Sequence, residues 1–172
     1  AIHDRIRNVP HAFARLADGV AAVKAADPTV AVTGRCTIQR ANYHALRATV
    51  AAAQSIGLDR ISFLAADVST DAFNRPDGWD DDRVGQVALA ADDLPRLDAE
   101  IRALEHERPS DFASGYIAES PEKLRRRLRQ YFAALLGTDR FFPNECNAPW
   151  VSSVIESDGT IETSYAVADE AL

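Results

Sequence analysis

Two short stretches of the chain concentrate the side-chain types that carry chemistry. The first runs from His3 to Arg7 (HDRIR) and places an imidazole, a carboxylate and two guanidinium groups just before a predicted helix. The second runs from Cys146 to Trp150 (CNAPW) and leads into residues 154–160 (VIESDGT). Imidazole and carboxylate groups serve acid–base work, guanidinium groups bind anions, and thiolates bind soft metals. Neither stretch shows a mechanism from its spacing alone.

The common catalytic signatures are absent from the sequence. It has no P-loop, no G-x-G-x-x-G, no G-x-S-x-G and no H-E-x-x-H. The histidines show no metal-ligand spacing and are expected at the surface: His3, His11, His44 and His106. The basic residues at 125–127 and 129 are expected on a solvated helix exterior. The acids at 80–82 could collect a cation, although a loop tip or helix N-terminus is the preferred interpretation.

Composition and charge exclude several classes of protein. The chain has 172 residues, 47% hydrophobic and 26% charged, which is ordinary for a globular domain. Its net charge of −7 disfavours a nucleic-acid surface and an anionic-membrane binder. No apolar run approaches the roughly 20 residues that span a bilayer. The start of the sequence has no apolar core of a signal peptide.

Cysteine and methionine usage gives two further expectations. Cys36 and Cys146 lie far apart and do not form a disulfide framework, so we expect reduced thiols in a cytoplasmic protein. Two thiols cannot build a Cys₄ metal site. The chain contains no methionine, and we expect that its N-terminus has been cut off.

The first half of the chain predicts alternating helices and strands. Apolar residues at helical spacing predict a helix over 10–26, and β-branched residues predict a strand over 29–33. Asn42 is expected to cap the next helix, which stops at Gly57, and a second buried strand follows over 60–65. This order is typical of parallel βα units. Two strands do not make a stable parallel sheet, so the pattern implies further strands.

The second half predicts a long loop, two helices and a small appendage. Residues 67–82 form a polar stretch long enough to be functional. The predicted elements are a helix starting at Asp92 or Asp93, a short extended piece over 115–118, a helix from Ser120 to Gly137, and a hairpin with strands over 150–155 and 160–167.

Taken together, these stretches resemble the rear part of a radical S-adenosylmethionine enzyme with a SPASM-type C-terminal extension. That family has an H-D-x-x-R element before a helix and a strand ending in T-x-x-R-x-N. The matching residues are His3, Asp4 and Arg7, then Thr37, Arg40 and Asn42, then the helix end at Gly57 and the strand over 61–64. The resemblance covers nearly the whole chain, in the right order.

The resemblance implies a fold and two domains. The fold class is α/β: the rear portion of a partial (β/α)₆ TIM-like barrel plus the start of a SPASM-type β-hairpin. Residues 1–137 would be barrel and flanking helices, and residues 138–172 a truncated or degenerate SPASM-like segment. The family binds a 4Fe–4S cluster and S-adenosylmethionine. This chain lacks the C-x-x-x-C-x-x-C cluster motif, so we expect it to bind neither by itself.

The resemblance also implies site residues. Arg7 matches the arginine that reaches the cofactor carboxylate. Cys146 resembles a ligand of an auxiliary cluster, but Ser164 stands where the next cysteine is expected. Asp67 and Asn74 could face substrate, although a turn role is preferred. The residues expected near the cofactor are Arg7, Thr37, Arg40, Asn42 and Leu64, and no catalytic residue is assigned.

The leading hypothesis is therefore a fragment of a cytoplasmic radical enzyme that acts on a peptide or protein and is inactive alone. Whether the chain is itself an enzyme is left open. The alternative is a non-catalytic degenerate half-barrel that binds a partner. A complete small enzyme of another family is the weakest hypothesis, because no nucleophile–base pair is visible. An exposed barrel edge predicts self-association. No nucleic-acid or membrane partner is expected.

Overall fold

The computed structural model describes residues 1–69, 78–142, 153–155, 159 and 161–163. The chain forms two compact units, Ala1–Phe141 and Phe142–Leu172. The first unit holds helices and a parallel strand pair, and the second holds an antiparallel strand pair. None of the helices in these residues is both long enough and apolar enough to cross a membrane.

The first unit alternates helices with two strands and then becomes helical. Its elements before residue 70 are α1 (Ile2–Arg7), α2 (Ala12–Ala26), β1 (Thr33–Ile38), a 3₁₀ turn (Tyr43–Ala45), α3 (Leu46–Ser55) and β2 (Arg60–Ala65). Those after residue 77 are α4 (Asp81–Val87), a 3₁₀ turn (Ala91–Asp93), α5 (Leu94–Glu107), α6 (Pro109–Ala113), α7 (Pro121–Leu124), a π-helical stretch (Arg125–Gln130) and α8 (Tyr131–Leu135).

The two strands pair in parallel, as the βα order predicts. The register runs from Thr33 opposite Arg60 to Ile38 opposite Ala65. A third segment joins the far side of β2, where Ile117 forms a parallel bridge with Ile61. This confirms the extended piece predicted over 115–118 at Ile117 alone, since Gly115 lies in a turn with positive φ. The described residues of the first unit thus contain two strands and one bridged segment, which is less than a barrel.

One predicted strand was misplaced. The strand expected over 29–33 lies at Thr33–Ile38 instead. The physical reason is Asp27, whose carboxylate accepts hydrogen bonds from both the backbone N–H and the hydroxyl of Thr29 and holds that stretch in a turn. The sequence TGRCTI then pairs with β2 despite its weaker apolar pattern. Tertiary pairing has overridden local propensity here.

Helix ends follow local capping chemistry. The helix predicted over 10–26 starts at Ala12, because His11 takes a left-handed backbone conformation (φ 59°) that no helical residue adopts. Ser120 caps α7 by accepting the Lys123 N–H, as its sequence predicts. Gly57 and Gly137 follow α3 and α8 with positive φ, which confirms both predicted stops.

Helices cover one face of the sheet. Along β1, exposure alternates, so that Ile38 is fully buried while Arg35 and Thr37 are exposed. On β2, Phe63 is fully buried on the same face as Ile38. The helical residues that are fully buried in this core are Leu46, Val50, Leu97, Ile101, Leu104, Leu124, Leu128 and Phe132.

The second unit holds a short antiparallel pair. Ser153–Ile155 (β3) pairs with Ile161–Thr163 (β4), with Val154 opposite Glu162. The two predicted hairpin strands include these stretches, and their remaining residues lie outside the described part of the chain. Cys146 and Ser164 lie outside the described residues.

Candidate functional site

A cavity of about 500 Å³ lies among α1, α2, β1 and α3 in the first unit. Its volume falls within the range of small-molecule sites, about 300–1,000 Å³. Its polar or ionisable lining residues are His3, Arg7, Arg35, Cys36, Thr37, Gln39, Asn42 and Thr49. Most of the remaining lining is alanine, isoleucine, leucine and phenylalanine. The cavity is therefore an apolar space with a limited set of polar groups.

Three of the predicted site residues line this cavity together. Arg7 comes from the end of α1, Thr37 from the end of β1, and Asn42 from the loop before α3. Arg7 and Thr37 are exposed, and Asn42 is buried. The fold thus brings the H-D-x-x-R element next to the T-x-x-R-x-N pattern, although thirty positions separate Arg7 from Thr37 in sequence.

Asn42 does not cap a helix as predicted. It precedes the 3₁₀ turn, but its side chain makes no cap hydrogen bond. Instead its carboxamide oxygen accepts the Gln39 N–H at 2.8 Å and its amide nitrogen donates to the Thr37 carbonyl at 3.0 Å. These two backbone groups lie at the carboxyl end of β1, so the carboxamide supplies the hydrogen-bond partners that a neighbouring strand would otherwise provide there.

Arg40 does not line the cavity. Its guanidinium donates to the Gly85 carbonyl at 3.0 Å and lies 3.5 Å from the Asp93 carboxylate. Its backbone N–H donates to the Val87 carbonyl at 2.8 Å. Through these bonds Arg40 connects the loop after β1 with α4 and with the 3₁₀ turn before α5.

Leu64 also lies away from the cavity. It stands opposite Thr37 in the parallel register and is only partly buried. Asp67 follows β2, and its carboxylate accepts the Ser69 N–H at 3.0 Å, which confirms the preferred turn role. The Tyr131 hydroxyl lies 3.5 Å from the same carboxylate oxygen. Asn74 lies outside the described residues.

The charge in the cavity is of one sign. Two arginines, Arg7 and Arg35, are among its lining residues, and no aspartate or glutamate of the described residues is. Arg35 makes a long hydrogen bond of 3.4 Å to the Ser62 hydroxyl. On α1, Asp4 accepts the Phe13 N–H at 2.8 Å. A positive lining is unusual for a chain whose net charge is −7.

The other charged clusters have structural partners. Three of the four arginines of the basic run pair with acids: Arg125 with Glu105, Arg127 with Glu119, and Arg129 with Asp139. Asp80 caps α4 by accepting the Arg83 N–H at 2.7 Å, as the helix-terminus interpretation predicts. Within the described ranges, no three His, Cys, Asp or Glu side chains are grouped to hold a metal ion.

Glu119 is an important residue that the sequence did not reveal. It is 3% exposed, and its carboxylate accepts the Phe63 N–H at 3.0 Å and the Arg127 guanidinium at 3.1 Å. Phe63 lies two residues after Ile61 on β2. Ile61 is the residue that bridges to Ile117, so Glu119 bonds to β2 just past the end of that pairing. The only available signal was position, since Glu119 directly follows the extended piece predicted over 115–118.

Comparisons of the chain with protein-family models, with curated proteins and with solved structures found no match.

Proposed function

We propose that the chain is the rear part of a radical S-adenosylmethionine enzyme with a SPASM-type extension, acting on a peptide or protein in the cytoplasm. The observation that carries the proposal is that Arg7, Thr37 and Asn42 line one cavity. They belong to the two sequence patterns on which the resemblance depends. Their meeting does not follow from sequence spacing.

The parallel order of the sheet also supports this proposal. Thr37 and Leu64 stand opposite each other near the carboxyl ends of β1 and β2, the edge where barrel enzymes collect their active-site groups. In the described residues β1 pairs with a single neighbour, β2. A further strand beside β1 would extend the sheet toward a partial barrel.

The chain's residues fit one of the two implied groups. Arg7 has no ion pair among the described residues, and a guanidinium fits the carboxylate of S-adenosylmethionine. The iron–sulfur cluster finds no ligand set here. Cys36 lines the cavity, but burial raises the pKa of its thiol to about 11, whereas a cluster ligand must be a thiolate. Among the described residues, Arg7 would therefore hold the carboxylate of S-adenosylmethionine, and these residues would supply no cluster chemistry.

A binding experiment tests the proposal. The native protein that contains this sequence is purified without oxygen, and S-adenosylmethionine is titrated into it by calorimetry. We expect saturable binding that weakens at least about tenfold in Arg7→Gln, because a charge-assisted pair is lost. Arg5→Gln is the matched control, since Arg5 lies on the same helix outside the cavity. Equal binding by both variants would remove Arg7 from the proposed site.

The alternative is a partner-binding module without catalysis. Two observations favour it. The Asn42 side chain bonds to backbone groups at the end of β1, and the Glu119 side chain bonds to a backbone N–H of β2, so the chain itself satisfies these groups of the sheet. A self-sufficient module predicts a native protein that contains no iron and does not bind S-adenosylmethionine. Iron at cluster stoichiometry in the native protein would exclude it.

A further inference from the structure

The apolar part of the cavity has no role in the proposed function. Phe13 and Leu16 of α2 line it, together with Ala48 and Ala52 of α3. Leu16 is 42% exposed, although its side chain is large and apolar. Covering this apolar surface with an apolar group is favourable, by about 25 cal/mol per Å² of buried area.

The two arginines of the same cavity form no ion pair with an acid of the described residues. Arg7 and Arg35 line it, and the lining of the described residues contains no carboxylate. The acid of α1, Asp4, accepts the Phe13 N–H and lies 3.4 Å from the Ala1 ammonium. An occupant that matches both features has an apolar body and one negative group that can accept a bidentate guanidinium pair.

We infer that this cavity binds a free amphipathic carboxylate, a medium- to long-chain fatty acid, with its carboxylate on Arg7 and Arg35 and its chain against α2 and α3. The charge complementarity selects an acid over an amine or a neutral amphiphile. The inference does not need the radical-enzyme proposal to hold, but it uses the same cavity and the same Arg7, so a fatty acid and S-adenosylmethionine would compete for this site.

The test is calorimetric titration of the chain with dodecanoate below its micelle concentration, beside dodecyltrimethylammonium as a cation with the same chain. We expect one dodecanoate per chain and no saturable binding of the cation. Arg7→Gln and Arg35→Gln should each weaken dodecanoate binding about tenfold. Arg7→Lys and Arg35→Lys should retain part of the affinity, and Arg5→Gln should retain all of it.

A second variant tests the apolar wall. Ala48 is exposed and lines the cavity, so Ala48→Phe should fill the space without disturbing the core. We expect it to abolish dodecanoate binding while circular dichroism stays unchanged. Equal binding of the cation and the acid, full affinity in both glutamine variants, or no saturable dodecanoate binding would each overturn the inference. S-adenosylmethionine is titrated in a separate experiment, so the absence of dodecanoate binding is distinguished from a failure of the radical-enzyme proposal.

Discussion

The carboxylate of Glu119 accepts the backbone N–H of Phe63 at 3.0 Å, at the point where strand pairing along that side of β2 ends. The same carboxylate pairs with Arg127 at 3.1 Å. A side chain thus takes the place of a neighbouring strand's carbonyl and keeps a buried N–H satisfied. Asn42 does the equivalent at the end of β1.

Replacing Glu119 with alanine should destabilise the first unit by about 2–4 kcal/mol, because the buried Phe63 N–H and the Arg127 guanidinium both lose their partner. Glu119→Gln should cost less, since its amide oxygen still accepts the Phe63 N–H. Urea denaturation measures both. Arg127 is 45% exposed, so a double-mutant cycle should give only about 1 kcal/mol of coupling between the pair. A Glu119→Ala cost below about 0.5 kcal/mol would contradict this role.

Asn42→Ala should cost about 1–3 kcal/mol in urea denaturation, because the Thr37 carbonyl and the Gln39 N–H lose their partner together. Asn42→Asp keeps the acceptor but places a carboxylate against the Thr37 carbonyl, so it should not restore stability. Gln86→Ala is the control, an exposed polar residue of α4. If Asn42→Ala matched this control, the carboxamide would not be holding the strand end.

Asp59 should make stability depend on pH below about 4. The Lys24 ammonium, and then the Val32 N–H, hold the pKa of Asp59 below its ordinary value of 3.8. A lowered folded-state pKa stabilises the fold above the ordinary value, and this contribution is lost as pH falls through the folded-state pKa. The wild-type chain should therefore exceed Asp59→Asn in urea midpoint at pH 6, and the difference should shrink below pH 3.8.

The control for that experiment is Asp18→Asn, an exposed acid on α2. Its urea midpoint should differ little from that of the wild type at either pH. A difference between wild type and Asp59→Asn that grows on acidification would have the wrong sign for this account.

Cys36 should react slowly with alkylating reagents. Burial raises the pKa of its thiol to about 11, so only about 0.1% is thiolate at pH 8. In Cys146→Ser, iodoacetamide should modify Cys36 roughly a hundredfold more slowly than a free peptide thiol. The rate should keep rising about tenfold per pH unit through pH 10. A plateau near pH 9, measured by mass spectrometry, would show an accessible thiol instead.

Local chemistry made much of the fold predictable from sequence. The strand at Arg60–Ala65, the Ser120 cap and the glycine stops were all visible, because each depends on a few adjacent residues. The parallel pairing of the two strands followed from the βα order. The strand at Thr33–Ile38 was not visible, since Asp27 turns the more β-prone stretch before it.

The candidate site was less predictable because it depends on contacts between distant residues. Arg7, Thr37 and Asn42 were expected near one ligand, and they do line one cavity. The same resemblance predicts Arg40 and Leu64 near that ligand. Arg40 instead binds the Gly85 carbonyl, and Leu64 lies outside the lining. Side-chain direction at a strand end is set by tertiary packing, and spacing alone does not encode it.

The proposal that this chain belongs to a radical S-adenosylmethionine enzyme is tested most directly by product formation. The native protein that contains the sequence is reconstituted with iron and sulfide without oxygen, reduced with dithionite and supplied with S-adenosylmethionine. Chromatography then measures 5′-deoxyadenosine. We predict that it accumulates with wild type and Arg5→Gln and falls at least about tenfold with Arg7→Gln. No 5′-deoxyadenosine from a protein carrying a full iron complement, or from one that takes up no iron, would contradict the proposal.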